Sequence, residues 1–223
     1  TNIQMKAELH KLFYTPVWEF KYPDFEKDQE LIVKYLAQDS LYLKSRENSG
    51  LQITNPNLHK HQAISKLTKF IVDSAKSAMS DMGYQQNCGI TSMWATRQGV
   101  GASHHNHVHC NSFLGCSFYA FDVDDCAEGT VFNNSGFEKY VIQPPVEHSK
   151  VPMLVKEKAF DFRPGTLLVF PSWASHFTKP NKSTYRMIVG ANIMPVGKTN
   201  ADHFDRYNFA QIDNMELMEY DDE

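Results

Sequence analysis

Residues 165–181 read GTLLVFPSWASHFTKPN. A short apolar run opens after a glycine, reaches a proline and passes into a polar turn that delivers His176, so the stretch reads as a strand ending in a functional loop. The same punctuation recurs on both sides of it. From Ile90 onward, short apolar or aromatic runs are separated by Gly, Pro and Asn: SMWATR, NSFLGCSFYAFDV, GTVFNN, KYVIQPP, KAFDFRPGTLLVFPS and YRMIVGANIMP. Each is expected to be a strand.

The first eighty residues carry a helical pattern instead. DFEKDQELIVKYLAQD (24–39) places Ile32, Tyr35 and Leu36 on one helical face, with acidic residues in its first turn. In HQAISKLTKFIVDSAKSAMSDMG (61–83), Ile64, Leu67, Ile71, Ala75, Ala78 and Met82 recur at steps of three and four, and Gly83 is placed to cap the helix. Helices followed by a run of strands predict an α+β chain with a β-sandwich or barrel as its core. The expected division is one domain over 1–223: a helical support region (1–89), a β core (90–196) and a C-terminal extension (197–223) whose acidic end, MELMEYDDE, is a solvated tail.

Composition narrows the function classes. With 42% hydrophobic and 13% aromatic residues the chain is globular, and a net charge of −4 gives no electrostatic case for nucleic acid or an anionic membrane. No apolar run approaches the roughly 18 residues needed to span a bilayer, and no signal-peptide pattern opens the chain. Cys88, Cys110, Cys116 and Cys126 form no CxxC pair and no disulfide framework, so they are expected to be reduced thiols in a cytoplasmic protein.

Four of the ten histidines fall in HHNHVH, residues 104–109. On a strand, residues two apart share a face, so His105, His107 and His109 can project together. An H-x-H pair offers two imidazoles to one ion, and iron, copper, nickel and zinc all accept them. Of the remaining histidines, His176 is the best third ligand by its place at a strand end. His59 and His61 also form an H-x-H but precede a helix, where packing is the expected role, and His148 lies in a solvated loop. Ten residues beyond His176, Arg186 sits in the apolar strand STYRMIVGANI. A buried guanidinium needs a partner. Its fork suits a carboxylate, either a structural Asp or Glu or one carried by a small molecule.

Taken together, WATRQGVGASHHNHVH (94–109), the strand holding Phe118 and Tyr119, PGTLLVFPSWASH (164–176) and the trailing Arg186 resemble the iron(II)/2-oxoglutarate-dependent oxygenases, and more narrowly their small bacterial and phage prolyl-hydroxylase-like branch. The resemblance covers about residues 94 to 195 and, more weakly, LFYTPVWEF near the start. It implies a double-stranded β-helix (a cupin-like jelly roll) with N-terminal helices packed on the sheet. It also implies two metal ligands on an early strand, His107 and His109 (with His105 as the alternative register), and a distal ligand, His176. Arg186 would anchor the far carboxylate of 2-oxoglutarate, Tyr119 would hydrogen-bond the co-substrate, and Trp94 would pack the barrel. The cofactors implied are Fe(II) and 2-oxoglutarate. The reaction implied is hydroxylation of a small-molecule or peptidyl substrate, with 2-oxoglutarate converted to succinate and CO₂.

Two positions depart from the pattern. The usual pair is H-x-D or H-x-E, and His109 puts a neutral imidazole where a carboxylate is expected. Ile188 stands where many members have Ser or Thr two residues after the arginine, at a cost of one hydrogen bond, about 1–2 kcal/mol. The H-x-H pair keeps two alternatives open: a three-histidine iron dioxygenase that does not use 2-oxoglutarate, for example a thiol oxidase, and a non-catalytic jelly-roll binding module. The loop over 133–158 is read either as a cover that selects substrate or as a surface connection.

Overall fold

The computed structural model describes residues 14–43, 50–85, 87–136 and 155–199, and the backbone of a short strand at 210–212. The expected strand KYVIQPP, most of the 133–158 loop, His10, His148, His203 and the acidic tail lie outside the described residues.

Two antiparallel sheets are built from strands β1 (Trp18–Lys21), β2 (Leu51–Ile53), β3 (Asn87–Gly99), β4 (Leu114–Asp122), β5 (Glu128–Asn133), β6 (Glu157–Asp161), β7 (Thr166–Pro171), β8 (His176–Thr178), β9 (Tyr185–Thr199) and β10 (Ala210–Ile212). The larger sheet has seven strands, in the order β1-β7-β4-β9-β3-β2 with β10 beside β9, and the smaller is β6-β5-β8. Helices α1 (Phe25–Leu36) and α2 (Ser65–Asp81) pack on the larger sheet. This is the expected jelly roll with N-terminal helices.

Strand periodicity explains the unbroken apolar run of β7. Leu167 and Val169 of β7 join Met93 and Ala95 of β3 and Met187, Val189, Ala191 and Ile193 of β9 in the core shared with the helices. The alternate residues Leu168 and Phe170 face the other way and meet Tyr119, Phe132, Phe162 and Ile188 in a second core. A sheet covered on both faces needs uninterrupted apolar runs such as LLVF.

The helices form as their spacing predicts. Ile32, Tyr35 and Leu36 of α1 are buried, as are Leu67, Ile71, Ala75 and Ala78 of α2, together with Ile64 just before it; Met82 is half-buried against the same core. Gly83 ends α2 in the left-handed region (φ +87°). There its N–H bonds Ser80 O at 2.9 Å and that of Tyr84 bonds Met79 O at 2.9 Å, the paired closure that spares two terminal carbonyls.

One expectation needs correction. The first eighty residues are not purely helical: β1 pairs with β7 and β2 with β3, at the two edges of the large sheet. These strands have only four and three residues, too few for a period-2 signal to register. All four cysteines are free, Cys88 and Cys116 buried and Cys110 and Cys126 exposed. No helix among the described residues is long and apolar enough to cross a membrane.

Candidate active site

The chain leaves β3 through Gly99 and a turn at Gly101 (φ +80°), then runs extended toward β4. His107 and His109 lie in this connection and not on a strand, which corrects the sequence expectation. The segment pairs too briefly to form a ladder. His107 N–H bonds His176 O at 2.9 Å, the reverse bond is 3.0 Å, and His109 N–H bonds Ser172 O at 2.9 Å. That short pairing keeps the extended geometry, so residues 107 and 109 still share a side while Val108 between them is exposed. It also locks the pair against the first residue of β8.

The result is a triad. The candidate donor atoms of His107, His109 and His176, one per ring, all lie within 4.8 Å of one another. His105 is exposed and outside this group, so the register is 107/109. Each ring has its Nδ1 engaged: His107 with His105 O at 2.8 Å, His109 with Asn192 Oδ1 at 2.7 Å, and His176 with Ala174 O at 2.9 Å. All three partners are acceptors, so each Nδ1 carries the proton and each Nε2 presents a lone pair, the tautomer a metal needs. Space is reserved as well. A Cβ on Gly115 would sit 2.7 Å from both His109 Nδ1 and Phe170 Cε2, so only glycine lets this ring seat against its neighbours.

Burial holds the imidazoles neutral. Desolvation is the main cause pushing His109 down to about 4 and His176 to about 3; it also lowers His107, and lowers the adjacent His104 to about 4. Metal-free protein should therefore lose stability as the pH falls below the ordinary imidazole value of about 6.5. In that window unfolded histidines take up protons that the folded ones refuse, each contributing up to about 1.4 kcal/mol per pH unit. Denaturant midpoints at pH 6.5 and pH 5 test this; a flat profile would contradict it.

Asn192, on β9, carries no signal of its own beyond being a polar residue inside an apolar strand, and sequence reasoning missed it. Its amide oxygen orients His109. Asn192→Leu should weaken metal affinity about 10- to 100-fold while leaving the fold intact, measurable by competition with a coloured chelator.

A partly open cavity lies over the triad, lined also by Trp94, Thr96, Gln98, Thr130 and Ile188. Trp94, expected to pack the barrel, is half-buried on this wall with its ring 5.7 Å from that of His109. Ile188 is there as expected, without a hydroxyl, but Thr96 and Thr130 bring hydroxyls to the same cavity from other strands.

Arg186 and Tyr119 stand one layer behind this wall. Arg186 is fully buried (0% exposed). Its Nε donates to Gln98 Oε1 at 2.7 Å, Nη1 to Glu128 O at 2.5 Å and Nη2 to Lys179 O at 3.4 Å. No ion pair reaches it among the described residues; the Glu128 carboxylate is taken by Lys182 at 2.6 Å and Lys179 at 3.5 Å. None of the described Asp or Glu residues, the structural partner the sequence allowed, forms an ion pair with it. Burial lowers the guanidinium to about 10, which leaves it charged at neutral pH. Tyr119 accepts the Thr130 N–H at 2.8 Å and stacks on Phe162. Burial raises its phenol to about 12, so it keeps a proton to donate. His59 and His61 take no part in the triad. His59 is half-buried with neither ring nitrogen hydrogen-bonded, and His61 packs on Tyr35 with ring centroids 5.5 Å apart.

Residues 92–192 match a family model described as "Putative 2OG-Fe(II) oxygenase". No curated protein sequence matches the chain. Among solved structures, the chain is similar to a viral collagen prolyl hydroxylase from Paramecium bursaria Chlorella virus-1 in complex with 2-oxoglutarate (11% identity, 79% of this chain and 94% of that one, TM-score 0.54). It is similar to a prolyl-4-hydroxylase from Pseudomonas putida (11%, 80% and 92%, TM-score 0.55). HygX from Streptomyces hygroscopicus, solved with nickel, 2-oxoglutarate and hygromycin B, is a third (12%, 90% and 93%, TM-score 0.58). At such identities these likenesses are of fold, and they bear out the jelly roll. The span that matches the family model of the iron(II)/2-oxoglutarate-dependent oxygenases, residues 92–192, holds all three histidines, Tyr119 and Arg186.

Proposed function

We propose that this protein hydroxylates a small-molecule or peptidyl substrate using iron(II), 2-oxoglutarate and O₂. The observation that carries the proposal is the pairing of two features. Three neutral imidazoles converge with Nε2 lone pairs available, and behind the same cavity lies a buried guanidinium that forms no ion pair among the described residues. The donor set fits the metal: three nitrogen ligands leave positions open, as a non-haem iron oxygenase requires and a closed four-ligand zinc site does not. The charges fit too, since three neutral ligands, iron(II) and a dianion sum to zero.

Iron(II) with 2-oxoglutarate supplies, when bound, the oxidation of a C–H bond to C–OH by O₂, with release of succinate and CO₂. The protein supplies position and environment. His107, His109 and His176 hold the metal, and Asn192, with the carbonyls of His105 and Ala174, fixes their tautomers. Arg186 supplies positive charge for the far carboxylate of the co-substrate, and Tyr119, whose oxygen accepts the Thr130 N–H, keeps a phenolic proton to donate. Phe132 and Phe170, packed beside His176 at ring distances of 5.6 and 4.6 Å, keep that side of the metal dry.

The carboxylate-free triad favours one other reading, in which iron acts without 2-oxoglutarate, on a thiol for example, and Arg186 holds a carboxylate of the substrate itself. The two differ in their products. With iron(II), O₂, 2-oxoglutarate and pools of candidate substrates, our reading expects succinate to accumulate as O₂ is consumed. Oxygen uptake driven by a small thiol, with no succinate formed, would establish the other reading instead.

A further inference from the structure

Gln98 carries an unmet hydrogen-bonding demand. It lies on β3 directly across from Arg186 on β9, is 1% exposed and forms part of the cavity wall. Its Oε1 accepts the Arg186 Nε–H at 2.7 Å, while its Nε2 is buried with no partner. The amide cannot relieve this by turning over, because arginine only donates, and a flip would set two donors against each other. The orientation is therefore fixed by Arg186, and an NH₂ group is left needing an acceptor. Leaving a buried donor unsatisfied is costly, and a fold tolerates it where a ligand supplies the missing partner.

The Arg186 fork has the same incompleteness. Its three contacts use three of five N–H groups, and all three go to neutral oxygens. Its direct contacts are all dipoles, and no ion pair among the described residues neutralises it. Side by side, a guanidinium without an ion pair there and an amide NH₂ without an acceptor ask for one thing, an anionic oxygen group that accepts hydrogen bonds.

We infer that Gln98 is a specificity-determining residue of this cavity: its Nε2–H₂ donates directly to the carboxylate that Arg186 attracts, so the pair selects a dicarboxylate co-substrate over a 2-oxo acid lacking the distal carboxylate. The inference rests on the reading of the cavity as a 2-oxoglutarate site. It assigns Gln98 the first contact and Arg186 the charge behind it, as expected from a guanidinium that does not itself line the wall. The donor arrives from β3, on the far side of the β3–β9 pair from the apolar core, because Gln98 alternates with Arg97 and follows the cavity residues Trp94 and Thr96 at steps of two.

The substitution that separates this role from a structural one is Gln98→Glu. It is isosteric and keeps an oxygen for the Arg186 Nε–H. It removes the NH₂ donors and places a negative charge where the ligand carboxylate is to sit. If Gln98 served only to hold Arg186, glutamate would serve as well or better, since it makes a buried ion pair. The measurement is calorimetric binding of two probes, 2-oxoglutarate and 2-oxopentanoate, to cobalt(II)-loaded wild-type, Gln98→Glu and Gln98→Leu proteins, with thermal melts of each. The expected result is that Gln98→Glu melts no lower than wild type yet binds 2-oxoglutarate more than about 100-fold more weakly. Gln98→Leu should lose about 10- to 100-fold. Binding of 2-oxopentanoate should change less than about threefold in both variants.

Unchanged 2-oxoglutarate binding in Gln98→Glu would overturn the inference while leaving the proposed function standing. An equal loss for both probes would overturn it too, by showing a general disturbance of the cavity. Failure of wild-type protein to bind 2-oxoglutarate at all would overturn the proposed function and the inference together.

Discussion

His176→Ala should abolish iron binding at micromolar metal and, with it, any conversion of 2-oxoglutarate. Three imidazoles are the whole donor set within the 4.8 Å cluster, so removing one leaves only the proximal pair. Disturbing an orienting partner alone costs about 10- to 100-fold in affinity, and losing a ligand outright should exceed that. The fold should survive. The bonds that join His176 to His107 run through backbone atoms, N–H to O in both directions, and alanine retains them. The variant also sheds an imidazole whose burial is costly enough to push it down to about 3. A melting temperature near that of the metal-free wild type, together with loss of stoichiometric iron in equilibrium dialysis, is the expected pair of results. Retention of one tightly held iron would show that the metal sits elsewhere.

Arg186→Ala should raise the KM for 2-oxoglutarate by about 10²–10⁴-fold, the equivalent of the roughly 3–5 kcal/mol lost when one partner of a buried charge pair is removed. This variant also frees the Gln98 oxygen and the carbonyls of Glu128 and Lys179 from a shared donor, so it should melt lower than wild type. Arg186→Lys separates the two effects. Lysine keeps the charge and lacks the planar fork, and should give an intermediate KM with a smaller thermal loss. A KM for 2-oxoglutarate unchanged in Arg186→Ala would refute the anchor, whatever happened to stability.

Much of this arrangement could be read before the fold was known, for identifiable reasons. Ile64, Leu67, Ile71, Ala75 and Ala78 announce α2 because a long helix repeats its period several times, and Gly83 closes it because only a left-handed backbone makes the final two bonds. His176 and Arg186 stood out because a histidine at a strand end and a cation within an apolar strand both demand a partner. The short edge strands β1 and β2 were invisible, since three or four residues give at most two repeats of the period-2 pattern. The H-x-H geometry was right and its setting wrong. Backbone bonds from His107 to β8 and from His109 to Ser172 reproduce the side-chain alternation of a strand without the ladder, and nothing local in ASHHNHVHCN distinguishes the two.

The groups that orient the triad divide in the same way. The carbonyls of His105 and Ala174 belong to the backbone and leave no trace in the residue types. Asn192 left one, as a polar residue in an otherwise apolar stretch of β9, and Gln98 left a weaker one, as a polar residue in step with Trp94 and Thr96 on β3. Read by parity, Trp94, Thr96 and Gln98 mark the cavity side of β3, while Met93 and Ala95 mark its core side. A polar residue on the inner face of a buried sheet is where the functional signal of this chain was concentrated.

The most direct test of the central claim is an anaerobic titration of the iron(II)-loaded protein with 2-oxoglutarate, followed by visible absorption. Chelation of ferrous iron by a 2-oxo acid gives a charge-transfer band that neither component shows alone. The band is expected to appear with saturation at one equivalent in the wild type, and to need far more 2-oxoglutarate in Arg186→Ala. Iron bound by the three histidines with no band at any 2-oxoglutarate concentration would contradict the account.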